Sequence, residues 1–417
     1  MDLSALPPCC LFDSLTALPP DKLTLLSHLN DGMSNLCSSQ CLWKELYSKK
    51  FPPSLFRLKH FDDNVNWASL FSKRFNIMDN IKSHKPKIKS FLQDGIIKIR
   101  PLNNSFAYNT SNGIFLNVYD YNENECLYEE VMKIDVNNSD FMFLDNKTIL
   151  AVGENEIDLI DLETKNKTGF EIKTTENPKI QSISSNIFAI VDQMNCFVYD
   201  IRDNCEIKCK FEHNSNVIEM ANQGSLLFMA SERDLICHDL RNPKGPTVWS
   251  YTSENNCSFC SFNVKEQFAL FGNNVMNMLT GNLKYLIDVN DSVCGSLHND
   301  SIALIGCKRK AIKYFDYIQK KEIAEFNFPM NEGINSLDSS SLNGYVAVAA
   351  DYNIKILNVP SSDSESVEQV RNVLCGSVAQ RKRGDIGKIK QIIFDGERLI
   401  TNNGSFVRVY DFYTGKS

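Results

Sequence analysis

The chain has 417 residues, 43% of them apolar, with a formal net charge of −7 and a pI near 5.5. That is enough apolar material for a large core, and the acidic balance argues against nucleic acid as a partner. No run of about 18 apolar residues occurs, so no membrane span is expected.

The opening, MDLSALPPCCLF, lacks the basic segment of a secretory signal, and Arg381-Lys382-Arg383 is a short basic run. Both fit a cytoplasmic and/or nuclear protein. Fourteen scattered cysteines without an export signal are expected to be reduced thiols acting as small hydrophobes. The single C-x-x-C, Cys257 to Cys260, has no second pair to complete a zinc site. No metal and no cofactor are expected.

Residues 1 to 86 have helical spacing. Leu11, Leu15 and Leu18 fall at i, i+4 and i+7, and Leu23 and Leu26 continue the pattern after Pro19-Pro20. Two similar stretches follow, LWKELYSKKF (42–51) and NWASLFSKRF (66–75). In each, a Trp is followed by apolar residues three and four positions on. Proline is tolerated in a helix's first turn, so Pro7-Pro8 and Pro19-Pro20 mark helix starts. The spacing predicts a small helical domain over 1–47 and a helical linker over 48–86.

From residue 87 the pattern becomes short apolar runs between Asn, Asp, Ser and Gly clusters, the signature of many strands joined by turns. One strand recurs: FLNVYD, IDLID, CFVYD, LICHD, NVMN, IKYFD, IKILN and FVRVYD. Its last register positions are Asp120, Asp161, Asp200, Asp239, Asn277, Asp316, Asn358 and Asp411. The spacings are 41, 39, 39, 38, 39, 42 and 53 residues. A period near 40 with this strand is what a four-stranded propeller blade produces. The fold class is therefore mainly β, a propeller over 87–417. Eight blades are expected, seven if one unit is irregular. The last match stops at a third strand, so the ring needs its final outer strand from elsewhere, and Lys87–Leu92 is the candidate. The long last spacing predicts an insertion over 360–387, whose first part is acidic and Ser-rich and whose end is basic.

The repeats resemble degenerate WD repeats. In that family a histidine before the blade, an Asp before the third strand and a Trp within it form a hydrogen-bonded set; here His213 fills the histidine place. The start of the chain, residues 6 to 46, resembles an F-box. The residues that carry the likeness are Leu6-Pro7, Leu11 and Leu15, then Leu18-Pro19 with Leu23 and Leu26, and Leu42-Trp43 at the close. The F-box resemblance implies that these ten residues dock a Skp-type adaptor, which connects to a cullin–RING ubiquitin ligase. An F-box joined to a WD-repeat propeller is an architecture of ligase substrate receptors. The second Trp stretch resembles the helical linker that follows the F-box.

No catalytic motif appears: G-x-S-x-G, H-E-x-x-H and G-x-G-x-x-G are all absent. Gly415-Lys416-Ser417 ends like a phosphate loop but has Tyr410 where the first glycine belongs. In the WD family the loop between second and third strands opens on the central face. Arg233 and the run Lys308, Arg309 and Lys310 fall in such loops, and basic groups there suit an anionic, phosphorylated segment of a target protein. The expected function is that of a non-catalytic substrate receptor of an SCF-type ubiquitin ligase. The alternatives are a propeller scaffold unconnected with ubiquitin, and a hydrolase using the central pocket.

Overall fold

The computed structural model divides into two units, Met1–Pro86 with Ser341–Asn343, and Lys87–Ser340 with Gly344–Ser417. It describes residues 15, 18, 20–29, 31–50, 66–69, 71–72, 80–82 and 86 of the first. From residue 87 it describes all but 93–94, 103–104, 111–112, 123–124, 135–139, 146, 154, 173–177, 193–194, 214, 243–246, 265, 299–300, 309–310, 329–333, 341–343, 352, 360–366, 368, 375–387, 395–397 and 413–417.

In the helical unit, α1 (Pro20–Ser27), α2 (Asp31–Cys37) and α3 (Gln40–Lys50) are short. Pro20 opens α1 at the position where its missing N–H costs nothing. Asp31-Gly32 lies in the first turn of α2, so the glycine is no mid-helix defect and Asp31 meets the positive end of the helix dipole. Leu15, Leu23, Met33, Cys37, Leu42, Leu46 and Phe71 form the core, with Leu18, Leu26, Trp43 and Trp67 packed on its margin. Trp43 donates its indole N–H to the Cys37 carbonyl at 2.8 Å and packs on Phe71 at 5.4 Å. Gln40 accepts from the Trp67 main-chain N–H at 2.6 Å. The two similar stretches are thus tied into one small core.

Among its described residues the second unit has 32 strands. β1 (Lys87–Leu92) precedes the first sheet, which holds β2 (Lys98–Leu102), β3 (Ser105–Thr110), β4 (Gly113–Asn122) and β5 (Glu125–Ile134). The next holds β6 (Asp140–Phe143), β7 (Thr148–Val152), β8 (Glu156–Asp161) and β9 (Lys167–Glu171). The third has β10 (Lys179–Ser182), β11 (Ile187–Val191), β12 (Asn195–Asp200) and β13 (Glu206–Glu212). The fourth has β14 (Val217–Gln223), β15 (Leu226–Ser231), β16 (Asp234–Asp239) and β17 (Trp249–Thr252). The fifth has β18 (Cys260–Asn263), β19 (Phe268–Phe271), β20 (Asn274–Asn277) and β21 (Leu283–Leu286). The sixth has β22 (Ser292–Leu297), β23 (Ile302–Cys307), β24 (Ala311–Asp316) and β25 (Lys321–Asn327). The seventh has β26 (Ile334–Ser340), β27 (Tyr345–Ala350), β28 (Asn353–Asn358) and β29 (Gln369–Leu374). The eighth has β30 (Gln391–Phe394), β31 (Arg398–Asn402) and β32 (Phe406–Asp411), and its outer strand is β1.

All eight recurring segments are third strands, and Lys87–Leu92 closes the ring antiparallel to β32, with Lys87 opposite Asp411 and Leu92 opposite Phe406. First strands of successive sheets lie side by side, β2 against β6 and so on round to β30, which returns to β2. They enclose a central channel. The expected insertion over 360–387 needs correction, because it contains β29, the outer strand of the seventh sheet, paired with β28. Residues 360–366 and 375–387 lie outside the described set.

Burial explains the sequence pattern. Second strands such as TILAV, IFAIV and YVAVAA are buried along nearly their whole length, since a neighbouring blade covers each face. Outer strands such as β9 and β21 are mostly exposed. Within a second strand, alternate residues serve different seams. Leu227 and Met229 of β15 pack with Ala189 and Val198 of the third blade, whereas Phe228 and Ala230 pack with Ala269 and Phe271 of the fifth. A one-residue slip would exchange the two seams, so both seams fix the register.

In five of the repeats the register Asp or Asn caps the turn after its strand. Asp161 accepts from the N–H groups of Glu163 and Thr164, Asn277 from those of Leu279 and Thr280, and Asp316 from those of Ile318 and Gln319. A side-chain oxygen two or three residues before the N–H is the Asx-turn geometry. Asp200 and Asp239 add two-pronged bonds from Arg202 and Arg241, with 2.7 Å contacts from Nη2. These bonds hold both carboxyls down at a pKa of about 2. Gly281, in one of these turns, has φ of +70° and lies against the Trp249 ring, leaving no room for a Cβ.

Candidate protein-binding site

The channel wall is held by side chains of the first strands bonding to the next blade. Asp140 joins three blades: it accepts from Lys98 at 3.0 Å, from Arg100 at 3.2 Å, and from the Ile180 N–H at 3.3 Å. Burial alone would raise its pKa, but Arg100 and Lys98 outweigh that and hold the carboxyl below the usual range. Lys179 donates to the carbonyls of Val217 and Ile218 at 2.7 and 2.9 Å. Gln391 brackets Ile99, accepting from its N–H and donating to its carbonyl. Asp338 accepts from the Phe394 N–H at 2.8 Å. These clasps tie the first strands of neighbouring blades to one another.

Asp140→Ala removes the shared acceptor of two cations and one main-chain N–H. A fully buried pair broken this way costs about 3–5 kcal/mol. Lys98 and Arg100 keep 37% and 23% of their side-chain surface in water, so a loss nearer ~2 kcal/mol is expected. Urea titration of the variant would measure it, and an unchanged midpoint would show the clasp to be idle.

Between the first strands of the third, fourth and fifth blades is an open cavity of about 330 Å³. Gln181, Glu219, Asn222, Ser261 and Phe262 are among its lining residues. Gln181 donates its amide N–H to the Ser182 carbonyl at 3.1 Å, and Asn222 donates to the Ile183 carbonyl at 3.0 Å. Cys260 also lines it, with burial pushing its thiol pKa well up. Among the described residues, no group of three or more His, Cys, Asp and Glu is placed to hold a metal ion. Ten of the described cysteines are free thiols, and burial raises Cys205 and Cys209 to about 11.

Of the basic groups read from sequence, Arg233 and Lys308 are described. Arg233 and Lys308 sit in the second-to-third-strand turns of the fourth and sixth sheets, hence on one face but two blades apart. Arg233 donates to the Asn256 side chain at 2.7 Å, and its carbonyl accepts from the Ser253 N–H. Lys308 is exposed, and its main-chain N–H donates to the Asp291 carbonyl. Arg309 and Lys310 lie outside the described residues. In the helical unit, Leu15, Leu23 and Leu42 are 2%, 0% and 0% exposed, so they are spent on the unit's own core. Leu18, Leu26 and Trp43 are half-buried there, while Leu6, Pro7, Leu11 and Pro19 lie outside the described residues. The large apolar side chains this unit exposes, among those described, are Leu25 and Leu29.

His213 is buried where the family's histidine was expected, with Nδ1 2.7 Å from the Ser215 carbonyl. His238, one residue before Asp239 and so in the Trp place, stacks on Phe211 at 4.1 Å. The channel clasps and the cavity were missed in the sequence reading. The usable signal was a polar residue opening the first strand of each of the first three blades, Lys98, Asp140 and Lys179.

No protein-family model and no curated protein sequence matches the chain. Solved structures do. The C-terminal WD40 domain of Sif2 superposes with a TM-score of 0.62 at 11% identity, covering 78% of this chain and 99% of that one. BamB from Moraxella catarrhalis gives 0.56 at 10% identity, covering 78% and 98%. The computationally designed protein Ika8 gives 0.57 at 14% identity, covering 76% and 96%. Identities this low carry the fold and nothing finer. Ring closure, blade register and these superpositions together make residues 87–417 a WD40-like β-propeller of eight blades.

Proposed function

We propose that the chain is a non-catalytic scaffold that binds other proteins through its propeller. The observation that carries this reading is the use of the ring's buried charges. Asp140 ties three blades together and Asp158 pairs with Lys167 at 2.8 Å within its own blade, so both groups hold structure. A rigid ring with loops on two faces and an open cavity between blades suits recognition of a protein surface.

In its more specific form the scaffold is the substrate receptor of an SCF-type ubiquitin ligase, working in the cytoplasm and/or nucleus. The F-box resemblance of residues 6 to 46 supports this form, together with the apolar pair Leu25 and Leu29 at the end of α1, both over 60% exposed. Its contribution to ubiquitin transfer would be proximity, raising the effective concentration of target lysines near the ligase's reactive thioester.

Co-expression with a Skp-type adaptor tests the specific form. The wild-type chain is expected to co-elute with it, and a Leu25→Glu, Leu29→Glu variant is expected to lose the adaptor while keeping its melting temperature. A soluble wild-type chain that ignores the adaptor would remove the ligase reading and leave the scaffold.

A further inference from the structure

The cavity between the third, fourth and fifth blades has a definite hydrogen-bonding sense. Gln181 and Asn222 each spend one amide N–H on a main-chain carbonyl, and both side-chain carbonyl oxygens keep a lone pair with which to accept from a ligand. The one other contact between them is a 3.5 Å approach of the Gln181 amide to Asn222 Oδ1. Glu219 adds an exposed carboxylate that accepts one weak bond, at 3.3 Å, from the Met220 N–H. Lys179 feels its charge, but that ammonium is already committed to the Val217 and Ile218 carbonyls. Phe262 supplies an aromatic wall, and an aromatic face attracts a cation within about 6 Å. Carboxylate, amide oxygens and an aromatic ring make a set of acceptors with a net negative charge.

From this set we infer that the cavity binds the basic side chain, lysine or arginine, of a partner protein. The volume of about 330 Å³ is at the small end of ligand pockets and suits one side chain rather than a folded segment. The ammonium or guanidinium donates to Glu219 and the two amide oxygens, and the aliphatic stem lies along Phe262. The chain's net charge of −7 favours approach of a basic partner. The inference rests on the scaffold reading and gives its propeller a ligand class. It also inverts the sign expected from Arg233 and Lys308, because the recessed site is acidic.

The test uses the full-length chain and labelled five-residue peptides, each with one central arginine, lysine or citrulline between glycines. Citrulline keeps the shape of arginine without its charge. The arginine or lysine peptide is expected to bind at least tenfold more tightly than the citrulline peptide. Glu219→Gln is expected to weaken binding at least tenfold, whereas Glu212→Gln, the same charge change on exposed β13, leaves it unchanged. Equal binding of citrulline, or equal loss in both variants, would overturn the assignment. Tighter binding of spermidine than of either peptide would replace the protein partner by a free polyamine. Adaptor co-elution through the helical unit reads separately, so Glu219→Gln that keeps the adaptor but loses the peptide isolates this site.

Discussion

Replacing Lys87–Leu92 by a flexible Gly-Ser stretch is expected to abolish the single cooperative unfolding transition of the propeller and to drive it into aggregates. β1 supplies the whole outer strand of the eighth sheet, six residues in register with β32. Ile88 and Leu92 are 57% and 84% exposed, whereas Phe91 packs into the seam between the eighth and first blades, 5.7 Å from the Phe106 ring. Arg408 adds a 3.0 Å bond to the Ser90 hydroxyl. Burial of a Phe side chain contributes about 1.5–3 kcal/mol, and each ladder hydrogen bond about 1 kcal/mol. The direct loss is therefore on the order of 5 kcal/mol, comparable with the whole stability of an ordinary domain. The substitution also leaves β32 as a bare edge that can pair with another chain. Size-exclusion chromatography and urea titration would read both effects. Leu92→Ala is the matched control and should shift the midpoint by less than about 0.5 kcal/mol. A replaced strand that left the midpoint in place would mean that β1 does not close the ring.

Acidification from pH 7 to pH 4 is expected to cost the propeller several kcal/mol, with His238 and His298 responsible for most of it. Burial pulls both imidazoles down to a pKa of about 4, and His213 reinforces the shift at His238. In the unfolded chain each returns to about 6.5. Between those values the unfolded state binds more protons than the native one, so stability falls as pH falls through this window. Below pH 4 both states are protonated and the contribution is constant. A depression of this size corresponds to roughly 3 kcal/mol for each histidine, as an upper figure. The carboxyls of Asp200 and Asp239 titrate below this window, near 2, and leave it clear. Urea midpoints at pH 7.5, 6 and 5 should fall steadily for the wild-type chain. His238→Phe, which keeps an aromatic stack on Phe211, and His298→Gln should each flatten that slope. Parallel slopes in all three proteins would assign the acid sensitivity elsewhere.

Much of the ring was legible because one residue type does one local job. An Asp or Asn that caps a turn needs only its own strand and the next three residues, so it recurs at a fixed spacing whatever surrounds it. The third strands and the closing strand could be read from that spacing. The channel clasps could not. Asp140 reaches Lys98 and Ile180 some forty residues away on either side, and any donor of the right length would serve, so no residue type repeats. β29 was hidden for a different reason, since QVRNVL follows an acidic Ser-rich stretch and was absorbed into an apparent insertion. The leucines of the helical unit had the right spacing for a buried stripe. Spacing alone does not say whether the stripe meets the unit's own core or a partner. Leu23 and Leu42 are inside, and Leu25 is outside.

Closure by β1 also sets the order of events during synthesis. More than three hundred residues separate Leu92 from its partner Phe406. At about 5–20 residues per second, a ribosome takes tens of seconds to make that span. The strand that completes the ring is thus made before every other strand of the propeller and used last. Throughout that wait Ile88, Phe91 and Leu92 have no third strand to pair with, and seven blades can assemble as an open arc. The newborn propeller's exposure to chaperones and to its own neighbours on a polysome is therefore governed by the six-residue segment that precedes its other strands.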